Sequence, residues 1–245
     1  MKRIFPSAST SAFLLSLALS ILALPSLAQS NFYKLSIGGG GGITQSFTEV
    51  KEHAFGIGGY GSLDYMFTPF ISIGLEAQMG QINGGDYKTD PGNKQFTNSY
   101  KAVSANGKIY LGSVIDNDYS RLYNNIKGIY IAGGIGKMKN DVTYVVPLET
   151  NNNTYFVQRP STLSSVFFPV DLGVNFYFAN AQGFYRYALN INYQANILLN
   201  EYMDGYDDSK VTFRGGNPDI YTFLSVGLKY NFGPIGLSRK NFRKY

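Results

Sequence analysis

The sequence predicts an all-β fold: an eight-stranded antiparallel up-and-down transmembrane β-barrel with short turns at one end and long loops at the other. Three observations predict it. Segments that alternate strictly between apolar and polar residues recur along the chain, the connectors between them alternate between short and long, and only 15% of the residues are charged. Ordinary soluble domains carry ~25% charged residues, so this chain lacks the composition of a soluble surface.

The segment ISIGLEAQMGQ, residues 71–81, shows the alternation clearly. Its period of two residues is typical of a strand with unlike faces. One face is apolar, and the other carries glycine, amides and the carboxylate of Glu76. A face that met water would be rich in Lys, Glu and Thr, whereas glycine and amides suit a crowded interior. We therefore expect the apolar side chains to face lipid and Glu76 to face the lumen.

Seven other segments share this pattern. The outward, apolar positions predicted for the eight strands are, in chain order, Tyr33, Leu35, Ile37 and Ile43; Phe55, Ile57, Leu63, Tyr65 and Phe67; Ile71, Ile73, Leu75, Ala77 and Met79; Val103, Ala105, Ile109 and Leu111; Ile129, Ile131 and Ile135; Val166, Phe168, Val170, Leu172, Val174, Phe176 and Phe178; Tyr187, Leu189, Ile191, Tyr193 and Ala195; and Leu224, Val226, Leu228, Tyr230 and Phe232. Only closure into a barrel satisfies every strand hydrogen bond in hydrocarbon. Pro169 lies inside the sixth strand, where its missing donor predicts a bulge and leaves the register open.

The connectors sort by length along the chain. The long, polar ones cover roughly residues 45–54, 82–100, 139–162 and 198–219, and the short ones lie at 68–69 and 179–183, with a longer one at 116–126. Short turns at one end and long loops at the other are typical of an outer-membrane barrel, so we expect short periplasmic turns and long extracellular loops. Eight strands enclose an interior that side chains fill, so no wide channel is expected.

The two ends of the chain predict export and a periplasmic tail. Residues 1–28 combine Lys2 and Arg3 with an apolar run and the small residues of a cleavage site, which is typical of a secretory signal peptide. Residues 29–232 form the predicted barrel, and 233–245 form a basic tail. Loss of Lys2 and Arg3 takes the formal charge from +5 to +3, and the tail carries four positive residues, so the barrel is close to neutral. The basic balance is therefore no argument for nucleic-acid binding.

Charged residues on the inward faces form the best-defined polar constellation. This lumen charge network contains Lys34, Asp64, Glu76, Lys108, Asp171, Arg186 and Lys229. Isolated buried charges are expensive and paired ones are tolerated, so we expect a structural plug in which Glu76 pairs with Lys108. A proton or ion path along the lumen is the functional alternative.

Three aromatic pairs fall at the short-turn end of the predicted strands. They are Tyr65 and Phe67, Phe176 and Phe178, and Tyr230 and Phe232. Aromatic girdles mark the membrane–water interface in barrels of this type. The sequence therefore predicts an interfacial aromatic girdle at this end.

The sequence offers little for catalysis or metal binding. His53 is the single histidine and lies beside Glu49 and Glu52 in a long connector, and the chain has no cysteine. The carboxylates of residues 203–210, MDGYDDSK, lack the full calcium-loop pattern. The glycine runs at 38–42 and 133–136 do not fit a phosphate loop and are expected to make room for inward aromatics or tight curvature. We predict no catalytic, cofactor-binding or metal site.

The chain resembles the small eight-stranded outer-membrane proteins of the OmpA and OmpX type. It is more closely similar to the outer-membrane beta-barrel domain family found in porin-like proteins of the Bacteroidota. The resemblance rests on the signal peptide, the eight alternating segments and the closing VGLKYNF, residues 226–232. It implies an outer-membrane location with lipid as a partner. It also implies recognition of the last strand by the barrel-assembly machinery, although 13 residues follow Phe232 here.

Four functions remain open at this stage. A structural or surface-interaction role without catalysis comes first. The long connectors carry aromatic residues that would suit contact with an extracellular ligand, namely Tyr144, Tyr155, Phe156, Tyr202 and Tyr206. Solvated, ordered loops are the alternative interpretation of these residues, and the sequence favours it. A small-solute channel and an accessory role in secretion or assembly are the alternatives. A lipid-modifying enzyme is disfavoured by the isolated His53.

Overall fold

The computed structural model describes residues 32–48, 54–86, 88–89, 95–113, 127–145, 162–199, 203 and 219–233. All of them belong to one compact unit, Phe32–Tyr245. The predicted signal peptide, His53, residues 204–210 and the basic tail after position 233 lie outside the described residues, as do Glu49, Glu52, Tyr155, Phe156, Tyr202 and Tyr206. Among the described residues, no helix is long and apolar enough to cross a membrane.

Eight strands form one closed antiparallel barrel. They are β1 (Leu35–Phe47), β2 (Phe55–Thr68), β3 (Ile71–Gly85), β4 (Gln95–Tyr110), β5 (Ile129–Val145), β6 (Thr162–Ala179), β7 (Tyr185–Leu198) and β8 (Ile220–Phe232). Each strand pairs with its neighbours in the chain, and β1 closes the barrel by pairing with β8 from Leu35↔Phe232 to Phe47↔Ile220. The predicted eight-stranded up-and-down barrel is confirmed.

The faces of the barrel are inverted relative to a water-soluble protein. The large apolar side chains point outward, with Leu75 56%, Leu172 57% and Leu228 68% exposed, whereas the inward carboxylate of Asp64 is inaccessible and that of Glu76 nearly so. An exterior of this kind is stable in lipid, and a closed barrel leaves no strand edge unpaired there. The barrel therefore spans a membrane, and its apolar faces meet acyl chains.

Four strands, β1, β3, β4 and β5, extend further toward the loop end than the sequence pattern indicates. The long connectors are shorter than predicted because β1 continues to Phe47, β3 to Gly85 and β5 to Val145, while β4 starts at Gln95. In these extensions polar residues lie on both faces, so the two-residue alternation fades although the backbone pairing continues.

Tyr33 does not belong to the outward set. It precedes β1, which begins at Leu35, and only 5% of it is exposed. The alternation holds only for residues inside a strand, so a side chain just before the first strand residue is free to turn inward.

The bulge predicted at Pro169 is wrong. Val170 pairs with Gly133 and Phe167 with Gly136, so the same offset between β5 and β6 holds on both sides of the proline. No residue is inserted, and the pairing with β5 is instead interrupted for two residues. On its other side Pro169 pairs with Asn196 of β7 in unbroken register. The missing N–H donor of Pro169 is thus accommodated by a local gap in the pairing between β5 and β6.

Two turns at the opposite end from the long connectors are short and locally determined. Pro69 and Phe70 join β2 to β3, and the Phe70 N–H donates to the Thr68 hydroxyl. Between β6 and β7, the Asn180 side-chain oxygen accepts from the N–H groups of Gln182 and Phe184. Gly183 there has a φ of 81°, a left-handed conformation that favours glycine. Part of the third connector at this end, residues 114–126, lies outside the described residues.

Candidate functional site

The lumen is filled in three layers. A loop-end cluster of buried side chains lies under the long connectors and contains Ile82, Phe96, Tyr100, Ala102, Met138, Phe167, Leu198, Met203 and Tyr221. A turn-end cluster lies at the opposite mouth and contains Met66, Phe70, Tyr110, Tyr130 and Ala132, with Phe32, Tyr177 and Tyr185 against it. Between them lies a polar centre of charged, amide and tyrosine side chains. Neither cluster is evident from the sequence pattern, because their members stand at positions assigned to loops or to the polar face.

The loop-end cluster includes a residue from a long connector. Met203 is fully buried, and its carbonyl accepts from Nδ2 of Asn98 on β4 at 2.8 Å. Its N–H donates to the Asp219 carboxylate, just before β8, at 3.0 Å. The last long connector is therefore tied into the barrel mouth at this point, and Met203 closes the lumen.

Arg186 lies at the turn end, where it contacts two aromatic residues. Its Nε and Nη2 donate to the Tyr33 hydroxyl at 3.1 and 3.0 Å, and Nη1 donates to the Tyr230 hydroxyl at 3.0 Å. The guanidinium also lies 5.0 Å from the centre of the Tyr33 ring. Arg186 thus joins the segment before β1 to β7 and β8, away from the central carboxylates.

Asp64 is the charged residue around which the polar centre is built. Lys108 Nζ donates to one carboxylate oxygen and Lys229 Nζ to the other, each at 2.8 Å. The three residues come from β2, β4 and β8, so the ion pair draws strands on both sides of β2 together. Two lysines against one carboxylate leave one positive charge in excess. Both ammonium groups face the Tyr130 ring, at 5.9 and 6.0 Å from its centre, where the negative face of the π system stabilises them.

The predicted Glu76–Lys108 pair is wrong. Glu76 lies opposite Ser104 on β4, whereas Lys108 lies opposite Ser72, and the lysine reaches across to Asp64 instead. Strand register decided this, because equal distances from a connector do not imply that two residues face each other.

Glu76 is held by amides. Gln78 Nε2 donates to its Oε1 at 2.7 Å, and Gln194 Nε2 donates to the same oxygen at 3.3 Å. Gln78 Nε2 also lies 2.5 Å from Gln194 Oε1, so β3 and β7 are linked across the lumen. Asp171 is also bound by an amide, since Asn192 Nδ2 donates to its Oδ1 at 2.8 Å. Amide donors bind Oε1 of Glu76 and Oδ1 of Asp171 without a cation, and Oδ2 of Asp171 is buried with no hydrogen-bond partner.

Tyrosines span the lumen beside inward glycines. The Tyr60 hydroxyl donates to Asn190 at 3.2 Å, and the Tyr130 hydroxyl donates to Asn192 at 3.0 Å. A Cβ at Gly227 would overlap the Tyr60 hydroxyl, and a Cβ at Gly173 would overlap the Tyr130 ring. These glycines leave the space that the aromatic side chains occupy. Within the two predicted glycine runs, Gly136 does the same for the Phe167 ring, whereas a Cβ at Gly40 or Gly42 would meet the backbone of β8.

The predicted lumen charge network thus divides into separate parts. Asp64, Lys108 and Lys229 form one ion-paired group, while Glu76 and Asp171 are bound by amides. Lys34 lies just before β1, is half-buried, and has no ion pair with another described residue. A role of this set as a plug stays a prediction.

The six residues of the predicted girdle lie at the turn end of their strands. Tyr65, Phe67, Phe176, Phe178 and Phe232 are between 40% and 56% exposed, and Tyr230 is half-buried. Tyr65 packs edge-on against Phe67, and Tyr230 packs edge-on against Phe232. Tyr187 joins them, 51% exposed and with its ring 5.3 Å from that of Tyr230. Their location at the membrane interface stays a prediction.

The polar centre binds its own members. Its carboxylates are occupied by ammonium or amide donors, and within the described residues no group of three or more His, Cys, Asp or Glu could hold a metal ion. The arrangement can rigidify the barrel and separate its two mouths. Those are structural tasks.

No protein-family model and no characterised protein matches the chain. Solved structures similar to it include neisserial surface protein A, at 10% identity and a TM-score of 0.47. The matched region covers 81% of this chain and 97% of neisserial surface protein A. Another is Ail, the attachment invasion locus protein of Yersinia pestis, at 12% identity and a TM-score of 0.42, with 82% and 99% covered. A third is the N-terminal β-barrel domain of Pseudomonas aeruginosa OprF, at 10% identity and a TM-score of 0.39, with 81% and 98% covered.

The apolar exterior and the closed eight-stranded topology are those of a bacterial outer-membrane barrel. By this architecture the protein is an outer-membrane protein.

Proposed function

We propose that the protein is a non-conducting outer-membrane barrel whose role is structural or carried by its external surfaces. The observation that supports this most directly is the filling of the lumen in three layers, with buried apolar side chains at both mouths and an ion-paired polar centre between them.

Each layer opposes passage of a solute in its own way. Phe96, Phe167 and Tyr221 are at most 1% exposed at the loop end, as is Tyr110 at the turn end, so these side chains are packed on all sides. An ion that passed them would lose its hydration without gaining a polar partner. In the polar centre Asp64, Lys108 and Lys229 bind one another, and Gln78, Gln194 and Glu76 do so as well, so a solute would have to break those bonds.

Conductance of the purified full-length protein in planar bilayers tests the proposal. We expect no steady single-channel currents from protein whose heat-modifiable gel mobility shows it to be folded. An established porin in the same lipid provides the positive control. Steady currents from folded protein would replace this proposal with the small-solute channel.

A deletion strain then separates the remaining roles. Leakage of periplasmic contents after deletion supports a structural role, and loss of adhesion supports a surface interaction. An altered secreted-protein profile with neither of these effects would favour an accessory role in secretion or assembly.

A further inference from the structure

The charged side chains on the outer wall of the barrel lie together. Among the described strand residues, those that point outward and carry a charge are Lys101 on β4 and Lys137, Lys139 and Asp141 on β5. All four are exposed, and they lie toward the loop end, above the apolar outer surface. Three lysines and one aspartate leave two positive charges in excess at this place.

The strand register places two of these lysines directly opposite each other. Lys101 pairs directly with Lys139, and Lys137 lies opposite Val103. Like charges directly opposite each other on neighbouring strands are destabilising. Among the described residues, no carboxylate lies within ion-pair distance of any of the three lysines. An anion that bridged them would remove the repulsion.

A hollow lies beside the opposed lysines. Its volume is about 420 Å³, and it is lined by Met79, Gly80, Gln81, Ser99, Tyr100, Lys101, Lys139 and Asp141. Met79 pairs with Lys101, so the hollow spans the outer faces of β3, β4 and β5. It offers hydroxyl, amide and ammonium groups and the single carboxylate of Asp141 next to one exposed apolar side chain.

A second hollow lies nearer the turn end, is lined by residues of β1 to β4, and is apolar. It also has a volume of about 420 Å³, and it is lined by Leu35, Leu63, Tyr65, Ile73, Gly74, Leu75, Ala105, Asn106 and Gly107. Below Lys101, the outward residues of β4 are Val103, Ala105 and Gly107, which decrease in size toward this hollow. No atom lies within 4 Å of where a Cβ would stand at Gly107, so the floor of the hollow is open.

We propose that the outer wall of β3, β4 and β5 binds a phosphate-bearing acyl lipid of the outer leaflet. Lys101, Lys137 and Lys139 hold the phosphate, and an acyl chain runs over Ala105 and Gly107 into the apolar hollow. The inference goes beyond the proposed function, since it concerns the lipid-facing wall and holds whether or not the lumen conducts.

The distances fit one leaflet. Six residues separate Lys101 from Gly107, which is ~20 Å along a strand. For a strand tilted at about 45°, this spans ~14 Å of depth, close to half of a ~30 Å hydrocarbon core. A lipid with its phosphate at Lys101 therefore ends its chain near the apolar hollow.

Lipid binding to the folded full-length protein in a neutral detergent, followed by native mass spectrometry, tests the head-group site. The probes are didecanoyl phosphatidic acid and didecanoylglycerol, which share acyl chains and differ in the phosphate. We expect phosphatidic acid to bind preferentially, and the K101Q/K137Q/K139Q variant to bind it on the order of 100-fold more weakly. The matched control is K88Q, which removes an exposed lysine in the connector between β3 and β4 and should leave binding unchanged.

A second variant tests the acyl groove independently of charge. Gly107→Leu adds a side chain to the open floor of the hollow, where its Cβ has no atom within 4 Å, so the barrel should fold normally. It should weaken phosphatidic acid binding about tenfold, the effect of losing roughly two methylene contacts. Gly61→Leu is the control, because Gly61 also points outward, is exposed, and does not line the hollow.

Each outcome decides part of the proposal. Equal binding of didecanoylglycerol, or full binding by the triple variant, would overturn the phosphate site. Competition by inorganic phosphate alone at equal concentration would assign the lysines to free phosphate and overturn the lipid. Unchanged binding by Gly107→Leu would overturn the acyl groove.

Discussion

Asp64 on β2 lies directly opposite Gly74 on β3, and its carboxylate occupies the space that a side chain at position 74 would need. The glycine allows the carboxylate to lie flat against β3 while it accepts from Lys108 and Lys229 at 2.8 Å each. The Asp64 carboxylate can therefore hold its position only because residue 74 has no side chain.

Replacing Gly74 by Ala should destabilise the barrel. The added Cβ would overlap the Asp64 carboxylate and crowd the Asn106 side-chain oxygen at 2.9 Å, so the carboxylate must move away from its lysines. We expect a loss of about 3 kcal/mol in the free energy of unfolding, the scale for disturbing a buried ion pair. Urea unfolding in lipid vesicles measures it. Gly107→Ala should be close to neutral, because Gly107 points outward with no atom within 4 Å, and an equal loss at both positions would contradict the explanation.

Asp64→Asn should be more damaging than removal of the whole ion-paired group. The substitution leaves two lysines, each with only 4% of its side chain exposed, without their carboxylate. Breaking a buried pair in this way costs about 3–5 kcal/mol. Replacing all three residues by apolar ones, as in D64L/K108M/K229M, should recover much of the loss, because no buried charge remains. Equilibrium unfolding of the wild type and both variants compares them. A triple variant less stable than the single one would show that the ion pair stabilises the barrel outright.

Phe167 and Phe168 provide a matched pair on β6. Phe167 is 1% exposed in the loop-end cluster, whereas Phe168 is 39% exposed on the outer wall. Phe167→Ala should lower the free energy of unfolding by about 3–5 kcal/mol, because it leaves a cavity. Phe168→Ala should lower it much less, since lipid fills the space. Similar losses for both would contradict the assignment of inner and outer faces.

Phe167→Ala should also remain non-conducting in planar bilayers. The polar centre and the turn-end cluster still close the lumen below the cavity. Steady currents from this variant alone would show that the loop-end cluster is the sole barrier to passage.

Single tryptophans can locate the membrane interface, because the chain contains none. Val226 lies in the middle of β8 and Phe232 at its turn end, and they are 49% and 44% exposed on the same outer face. Val226→Trp should be quenched strongly by lipids brominated in mid-chain. Phe232→Trp should be quenched weakly by these lipids and more by aqueous acrylamide. If the two introduced tryptophans were quenched equally by the brominated lipids, residue 232 would lie as deep as residue 226 and outside an interfacial girdle.

The lumen arrangement shows why part of the site escaped prediction. The two-residue period assigns every strand residue to a face, and on this basis Asp64, Glu76, Lys108, Asp171 and Lys229 are predicted to point inward. All five are buried. The partners of these residues depend on the stagger between strands, and no pattern within one segment records that stagger. Lys108 therefore pairs with Asp64, two strands away, and not with Glu76 on its neighbouring strand.

The loop-end cluster escaped for a different reason. Phe96 and Ile82 lie in stretches that look like polar connectors, and Met203 lies in a connector itself. Their burial follows from strands that continue past the apolar outer surface and from a connector residue that enters the mouth of the barrel. Both are contacts between segments far apart in the chain.

The sequence by itself determined the strand count, the inside and outside of each strand, and the solvent that the outside meets, because alternation and low charge are local properties of each segment. Only the tertiary structure decided which lumen charges meet, how the two mouths are closed, and which lysines oppose each other on the outer wall. Those relationships depend on barrel closure and on the register between strands, which arise only when all eight strands are paired.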